Sequence, residues 1–228
     1  MHYFLIGFAP GLYWLWYFYK RDEIEPEPRK KIIAAYLTGI LSVFVVIGIQ
    51  LPFNFGEIVN AVIAAPIIEE FSKFLMVWIF FYRNKNFSEP MDGIVYAASV
   101  ALGFASLENA MYLLQGYSQM PFMLSSTLLI RAFLSVPAHA LFSSFWGYAL
   151  GRYKFEKDAK IWIVFAGLLL AMLMHSLFNL LCIVQIFSSF GLLIIAAVMW
   201  AVLNRKINKA EIDSPYATRA FLRWRKKK

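Results

Sequence analysis

Pro66-Ile67-Ile68-Glu69-Glu70-Phe71-Ser72-Lys73 sits midway along an otherwise apolar run from Ile58 to Tyr82, and the reading of that run decides the fold. About 20 apolar residues cross the hydrocarbon layer of a bilayer, so the run predicts a membrane span with three ionisable groups inside it. Each such charge costs about 2.5–3.5 kcal/mol at the bilayer centre, which marks the segment as a candidate site. On a helix, Glu69 and Lys73 are four apart on one face, with the glutamate on the favourable N-terminal side. Glu70 points about 100° away. A structural Glu69–Lys73 pair would account for two charges and leave Glu70 unexplained.

The rest of the chain has the same character. Of its 228 residues 61% are hydrophobic, 18% aromatic and 16% charged, more apolar surface than one water-soluble core of this size buries. The pattern predicts an all-α polytopic membrane bundle of about seven spans, at 3–19, 32–51, 58–82, 91–115, 122–150, 161–182 and 185–203. Basic residues collect in every second loop: Lys20 to Lys31, Arg83 and Lys85, Arg152 to Lys160, then the C-terminal tail. The positive-inside rule makes that side cytoplasmic, with the N-terminus outside and the C-terminus inside. A multi-pass place in a cell membrane is the expected location. The net charge of +8 is then orientation and attraction to anionic lipid rather than a nucleic-acid surface. The organisation expected is a transmembrane domain at 1–204 and a basic cytoplasmic tail at 205–228. The first span lacks a basic stretch before it and is followed by Lys20-Arg21, the pattern of a retained anchor. One cysteine, Cys182, excludes an internal disulfide and has no metal-type spacing.

Along the chain, Tyr13, Trp14, Trp16, Tyr17 and Tyr19 read as an interfacial aromatic anchor. The loop from Asp22 to Arg29, with Glu25-Pro26-Glu27-Pro28, reads as an extended connector. Pro66 frees a backbone carbonyl that protein or water must satisfy, a way to open a wet pocket beside Glu69. The fourth span is rich in small residues from Ala97 to Ser106, which allow close helix approach, and ends in Glu108-Asn109. The fifth carries Arg131, Pro137 and His139, and the sixth carries His175 and Asn179 on one face. Ser143 and Ser144 read as packing residues.

Four spans can therefore converge on one cluster of Glu69, Glu70, Lys73, Glu108, Arg131, His139, His175 and Asn179. Adjacent carboxylates near cations allow one to stay ionised as a base while another holds a proton, which suits activation of water. Histidine and asparagine offer hydrogen bonds to a developing oxyanion. A peptide hydrolase needs that set. A second reading is a zinc site, with Glu70, Glu108, His139 and His175 as candidate ligands and a remaining glutamate as base. The spacing is not the helical His-Glu-x-x-His pattern, and the expectation is that no metal is required. A proton- or ion-coupled transporter could use the same buried charges, and a non-catalytic scaffold would keep only the salt bridges and the small-residue packing.

The order Ala9-Pro10-Gly11, Glu69-Glu70-x-x-Lys73, Asp92-Gly93-Ile94-Val95-Tyr96, Gly103-Phe104-Ala105-x-x-Glu108-Asn109, Arg131 to Pro137-x-His139-Ala140, Gly147-x-x-x-Gly151 and His175-x-x-x-Asn179 resembles the PrsW intramembrane proteases. More distantly it resembles the CAAX prenyl endopeptidases. The resemblance implies a membrane endopeptidase making the first cut in a single-pass anti-sigma factor during a stress response, with membrane lipid as its other partner. It implies Glu69 and Glu70 as the water-activating pair, Glu108 and His139 as assisting groups, and His175 as a catalytic or ligand residue. Lys73, Arg131 and Asn179 would support them. Asn179 stands where members often have aspartate, which argues against a metal at that position. The short uncharged outer loops place the expected scissile bond at or just above the outer membrane boundary.

Overall fold

The computed structural model describes residues 2–53, 55–119, 128–184 and 188–218. Among them there are seven helices and no strand: α1 (His2–Lys20), α2 (Arg29–Gln50), α3 (57–80), α4 (Pro90–Gln119), α5 (Leu128–Phe155), α6 (Trp162–Val184) and α7 (Ser188–Ile212). Five of these, α2 and α4 to α7, are long and apolar enough to cross a membrane. The segment expected as the third span is helical from 57 to 80, with one π-helical turn at Asn60–Ala64, and its three charges keep it out of the helices apolar enough to cross a membrane by composition. The start of the fifth expected span, at 122–127, and the basic stretch 219–228 lie outside the described residues. α7 continues past residue 204 to Ile212, and Ile207, Ala210 and Ser214 are buried against the bundle.

The axis of the molecule is α4. In its most apolar stretch 89% of residues are buried inside the protein, against 22% for α6 and for α7. Lipid tails are as apolar as leucine, so close backbone contact rather than water exclusion holds such helices together. The small residues of α4 provide that contact toward two different helices. A methyl group at Gly93 would overlap the Gly147 carbonyl of α5, and one at Gly103 would overlap the Tyr36 carbonyl of α2. Leu41 and Phe44 of α2, Leu169 and Leu173 of α6, and Leu193 and Ile194 of α7 point outward and are exposed, the polarity expected of a lipid-facing surface.

The α1–α2 loop is not the extended connector its sequence predicts. Asp22 and Glu27 are buried. The Asp22 carboxylate accepts the Glu27 backbone N–H at 3.0 Å, which folds the loop back on itself, and the Ser88 hydroxyl donates to Glu25 at 2.7 Å.

Candidate active site

Two prolines shape the site through the helices that carry it. In α3 the residues Asn60–Ala64 form one π-helical turn, closed by Ala65 N–H donating to the Asn60 carbonyl, and Pro66 follows directly. In α5 the residues Arg131–Ser135 form another, closed by Val136 N–H to the Arg131 carbonyl, and Pro137 follows. In the i to i−5 pattern of a π turn, Pro66 would donate to Ala61 and Pro137 to Ala132, but proline has no N–H. Both carbonyls are met from other helices. Asn179 Nδ2 of α6 donates to the Ala61 oxygen at 2.9 Å, and Trp14 Nε1 of α1 donates to the Ala132 oxygen at 3.0 Å. Bare backbone in lipid is costly, and these two side chains remove that cost.

Asn179 and Trp14 therefore have definite partners that sequence reasoning did not assign. One amide proton of Asn179 holds the π turn. The Trp14 indole, read as an interfacial anchor, is a cap on α5.

The eight candidate residues do come together, in two layers. A cavity of about 430 Å³ is lined by Glu69, Glu108, Arg131, His139, His175 and Asn179 among others, with Ala61 and Ser135 of the two π turns on its wall. Glu70 and Lys73 lie behind that wall, both fully buried. Lys73 Nζ reaches Glu70 Oε1 at 2.9 Å and Glu69 Oε2 at 3.3 Å, and sits 4.1 Å above the Phe104 ring. The other oxygen of Glu70 accepts from Ser143 Oγ at 2.7 Å and Trp146 Nε1 at 3.1 Å. Glu70 is thus saturated by a structural network, and Ser143 is more than a packing residue. Its place one helical turn beyond His139, on the same face, was the signal available in the sequence.

Glu69 is 7% exposed and borders the cavity. Glu108 is held by Arg131, whose guanidinium donates to Glu108 at 2.6 Å and to Asn109 at 2.9 Å and covers the Tyr112 ring at 4.0 Å. Asn109 in turn donates to the Gly7 carbonyl of α1 at 2.8 Å. His139 lies between the layers, with Nε2 3.3 Å from Glu108 and Nδ1 3.2 Å from Lys73 Nζ. The Lys73 ammonium can only donate, so these neighbours assign the lone pair to Nδ1 and the proton to Nε2. His175 stacks on Phe142, with Nδ1 3.4 Å from Glu70 and Nε2 3.9 Å from Glu69.

One ligand atom each from Glu69, His139 and His175 lies within 4.8 Å of the others. This trio differs from the four ligand candidates in the sequence: Glu69 takes the place of Glu70, which faces inward. Two histidines and a glutamate are the donor set of many catalytic zinc sites, which keep a fourth position open. Glu70 beside His175 Nδ1 supplies the carboxylate that commonly orients a metal-bound histidine, and that Nδ1 is otherwise a buried atom without a hydrogen bond. The residues fit a divalent metal ion.

The family model described as "PrsW family intramembrane metalloprotease" matches residues 27–203. A protein named Protease PrsW from Geobacillus kaustophilus is 38% identical over 211 residues, 90% of this chain and 90% of that one. The Bacillus subtilis protein of the same name is 32% identical over 179 residues, 76% of this chain and 79% of that one. The one from Clostridioides difficile is 29% identical over 236 residues, 99% of this chain and 98% of that one. No solved structure matches the chain.

Proposed function

The chain belongs to the PrsW family of intramembrane proteases, and from that premise we propose that it makes the first cut in a single-pass anti-sigma factor, with Glu69, His139 and His175 as a divalent-metal site and Glu108 as the general base. It is a multi-pass membrane peptidase. The observation that carries the reading is the convergence of one glutamate and two histidines from three helices on a mainly apolar cavity that also holds Glu108, Arg131 and Asn179.

Glu69, His139 and His175 would hold a divalent ion such as zinc, which when bound acidifies a water molecule and polarises a carbonyl. The expectation of metal-free catalysis does not carry over, because the three-residue donor set exists only in the fold. This chain's own residues do the rest. Lys73 balances the two adjacent glutamates and fixes Glu69 at the cavity wall. Glu108, aimed by Arg131, takes the proton from the attacking water and returns it to the leaving amine. The second amide proton of Asn179 faces the carbonyl oxygen as it gains charge. To hold the ion through Nε2, neutral His139 would take the Nδ1–H tautomer, and the Lys73 ammonium would turn from Nδ1 toward Glu69 and Glu70.

The substrate must be extended at the cut, since a helix has its carbonyls occupied. The π turns of α3 and α5 border the cavity and form its lateral wall. With the N-terminus outside and seven spans, the scissile bond lies at or just above the outer membrane boundary. The mass of the product released from co-reconstituted substrate tests that position, and cleavage at the cytoplasmic end of the substrate's span would refute it. For the mechanism, the measurement is metal content alongside activity. One zinc ion per chain is expected, lost with activity on chelation, restored with it, and absent from His175→Ala. Full activity in metal-stripped enzyme would sink the metal assignment and leave Glu69 and Glu108 as the water-activating groups.

A further inference from the structure

A second group of carboxylates lies at the opposite end of α4 from Glu108. Asp22 follows α1, Glu89 precedes α4 and Asp92 opens it, and one oxygen from each lies within 4.8 Å of the others. Asp92 and Glu108 are 16 residues apart on one helix, about 24 Å at 1.5 Å per residue, so this cluster is separate from the cavity. It sits where the basic loops of the chain gather, yet it is buried: Asp22 is 3% exposed, Glu89 and Asp92 are 0%.

Each carboxylate spends one oxygen on nearby chain. Asp22 accepts the Glu27 N–H, Asp92 accepts the Ser88 and Glu89 N–H groups at 2.5 and 2.8 Å, and Glu89 accepts the Ser214 hydroxyl beyond α7. The remaining oxygen of each, Asp22 Oδ1, Glu89 Oε1 and Asp92 Oδ1, is buried with no hydrogen-bond donor. Independently of these three, Glu27 is 1% exposed and neither of its carboxylate oxygens has a hydrogen-bond partner. Its charge acts on Asp92 and that of Glu89 acts on it. The Tyr96 hydroxyl, one turn along α4 from Asp92, lies close enough to Glu27 to act as its donor, though without a well-formed hydrogen bond. Lys31 and Lys154 act on this group from a distance. Among the described residues neither is within ion-pair distance of Asp22, Glu89 or Asp92. Lys154 instead donates to the Tyr82 and Phe87 carbonyls.

Buried anionic oxygens without donors call for a positive partner. We propose that Asp22, Glu89 and Asp92, with Glu27 beside them, bind a hard divalent cation of the calcium and magnesium class. The donors are all oxygen, which excludes a soft-metal preference. Oxygens on opposite sides of a calcium ion are about 4.6–5.2 Å apart and adjacent ones about 3.3–3.7 Å, from the usual bond lengths, so three oxygens within 4.8 Å of one another can share one such ion after a small adjustment. The ion ties three separate pieces of chain together, the α1–α2 loop, the start of α4 and, through Ser214, the end of α7. Burial pushes the Asp22 carboxyl up to about 9 and holds Glu89 above its ordinary range, so protons are the competing occupant.

The test uses the full chain in detergent, freed of metal, with calcium chloride or magnesium chloride as the sole added ion at pH 7.5. Thermal unfolding and equilibrium dialysis with calcium are both read. One calcium per chain is expected, with an unfolding midpoint that climbs with the logarithm of ion concentration. The response persists in Glu69→Gln, which removes a ligand of the cavity site, and Asp22→Asn or Glu89→Gln weakens ion affinity at least tenfold. Neutral amides there relieve repulsion, so these variants remain folded. An undiminished response in both cluster variants overturns the proposal. So does a wild-type midpoint that rises on acidification and ignores both ions, which assigns neutralisation to protons.

Discussion

Glu69 and Glu70 are neighbours in sequence and differ in surroundings. Glu69 reaches the cavity, and Glu70 is enclosed by Lys73, Ser143 and Trp146. The two isosteric changes should therefore separate function from stability. Glu69→Gln is expected to lower cleavage by at least about 10²-fold, more than the loss of an outer-shell partner of a metal ligand costs, with the unfolding midpoint in detergent nearly unchanged. Glu70→Gln leaves the Lys73 ammonium short of its closest counter-charge, a loss on the order of 3 kcal/mol for a broken buried pair, and lowers activity mainly through lost protein, with a smaller loss, about tenfold, from the His175 ring it no longer orients. Equal stability and equal inactivity in both would show that the pair acts as one catalytic unit. The sequence made the pair conspicuous because charges in an apolar run are rare. It could not divide their roles, since that depends on which helix faces each one, and Ser143 and Trp146 lie more than 70 positions away.

At the level of the helix, the two π turns are each completed by one distant side chain. Asn179→Leu strips the donor from the Ala61 carbonyl and Trp14→Phe strips it from the Ala132 carbonyl. Each is expected to cost about 1–3 kcal/mol, the penalty for an unmet buried polar group. Asn179→Asp should lose as much as the leucine variant, because an ionised carboxylate of the same shape cannot donate. Thermal unfolding of the three variants checks this, and wild-type stability in Asn179→Leu would mean the Ala61 carbonyl finds another donor. Most helix positions were legible from hydropathy, within about five residues at the ends the structure describes, except that α7 runs nine residues past its expected end at 203. The π turns were not: proline announces a missing N–H, but only the fold shows that the register widens by one residue and who supplies the donor. The burial of Asp22 and Glu27 was hidden for a similar reason. Glu25-Pro26-Glu27-Pro28 has the composition of a solvated connector, and its docking depends on the Asp22 side chain and on Ser88 beyond α3.

For the molecule as a whole, acidic groups displaced upward by burial set a pH dependence. Asp22 is pushed up to about 9 and Glu27 to about 7, both chiefly by burial, and Glu89 is raised for the same reason. The folded state therefore binds more protons than the unfolded chain between about pH 4 and these values, and stability falls as pH rises through that window. Metal-stripped protein should show a midpoint that declines from pH 5 to pH 9, measured by unfolding in detergent. A flat profile would mean that the acids are neutralised by other means. The long-range bonds of the site also impose an order on its making. Asn179 lies 118 residues after Ala61, and Ala132 lies 118 after Trp14, intervals of roughly 6 to 24 s at ordinary rates of synthesis. During that time α3 carries two glutamates with only its own Lys73 to offset them. Lys73, placed three and four residues on, is the one counter-charge already present when the helix leaves the ribosome. It serves as the escort of the nascent site, which becomes a protease only after the sixth helix arrives.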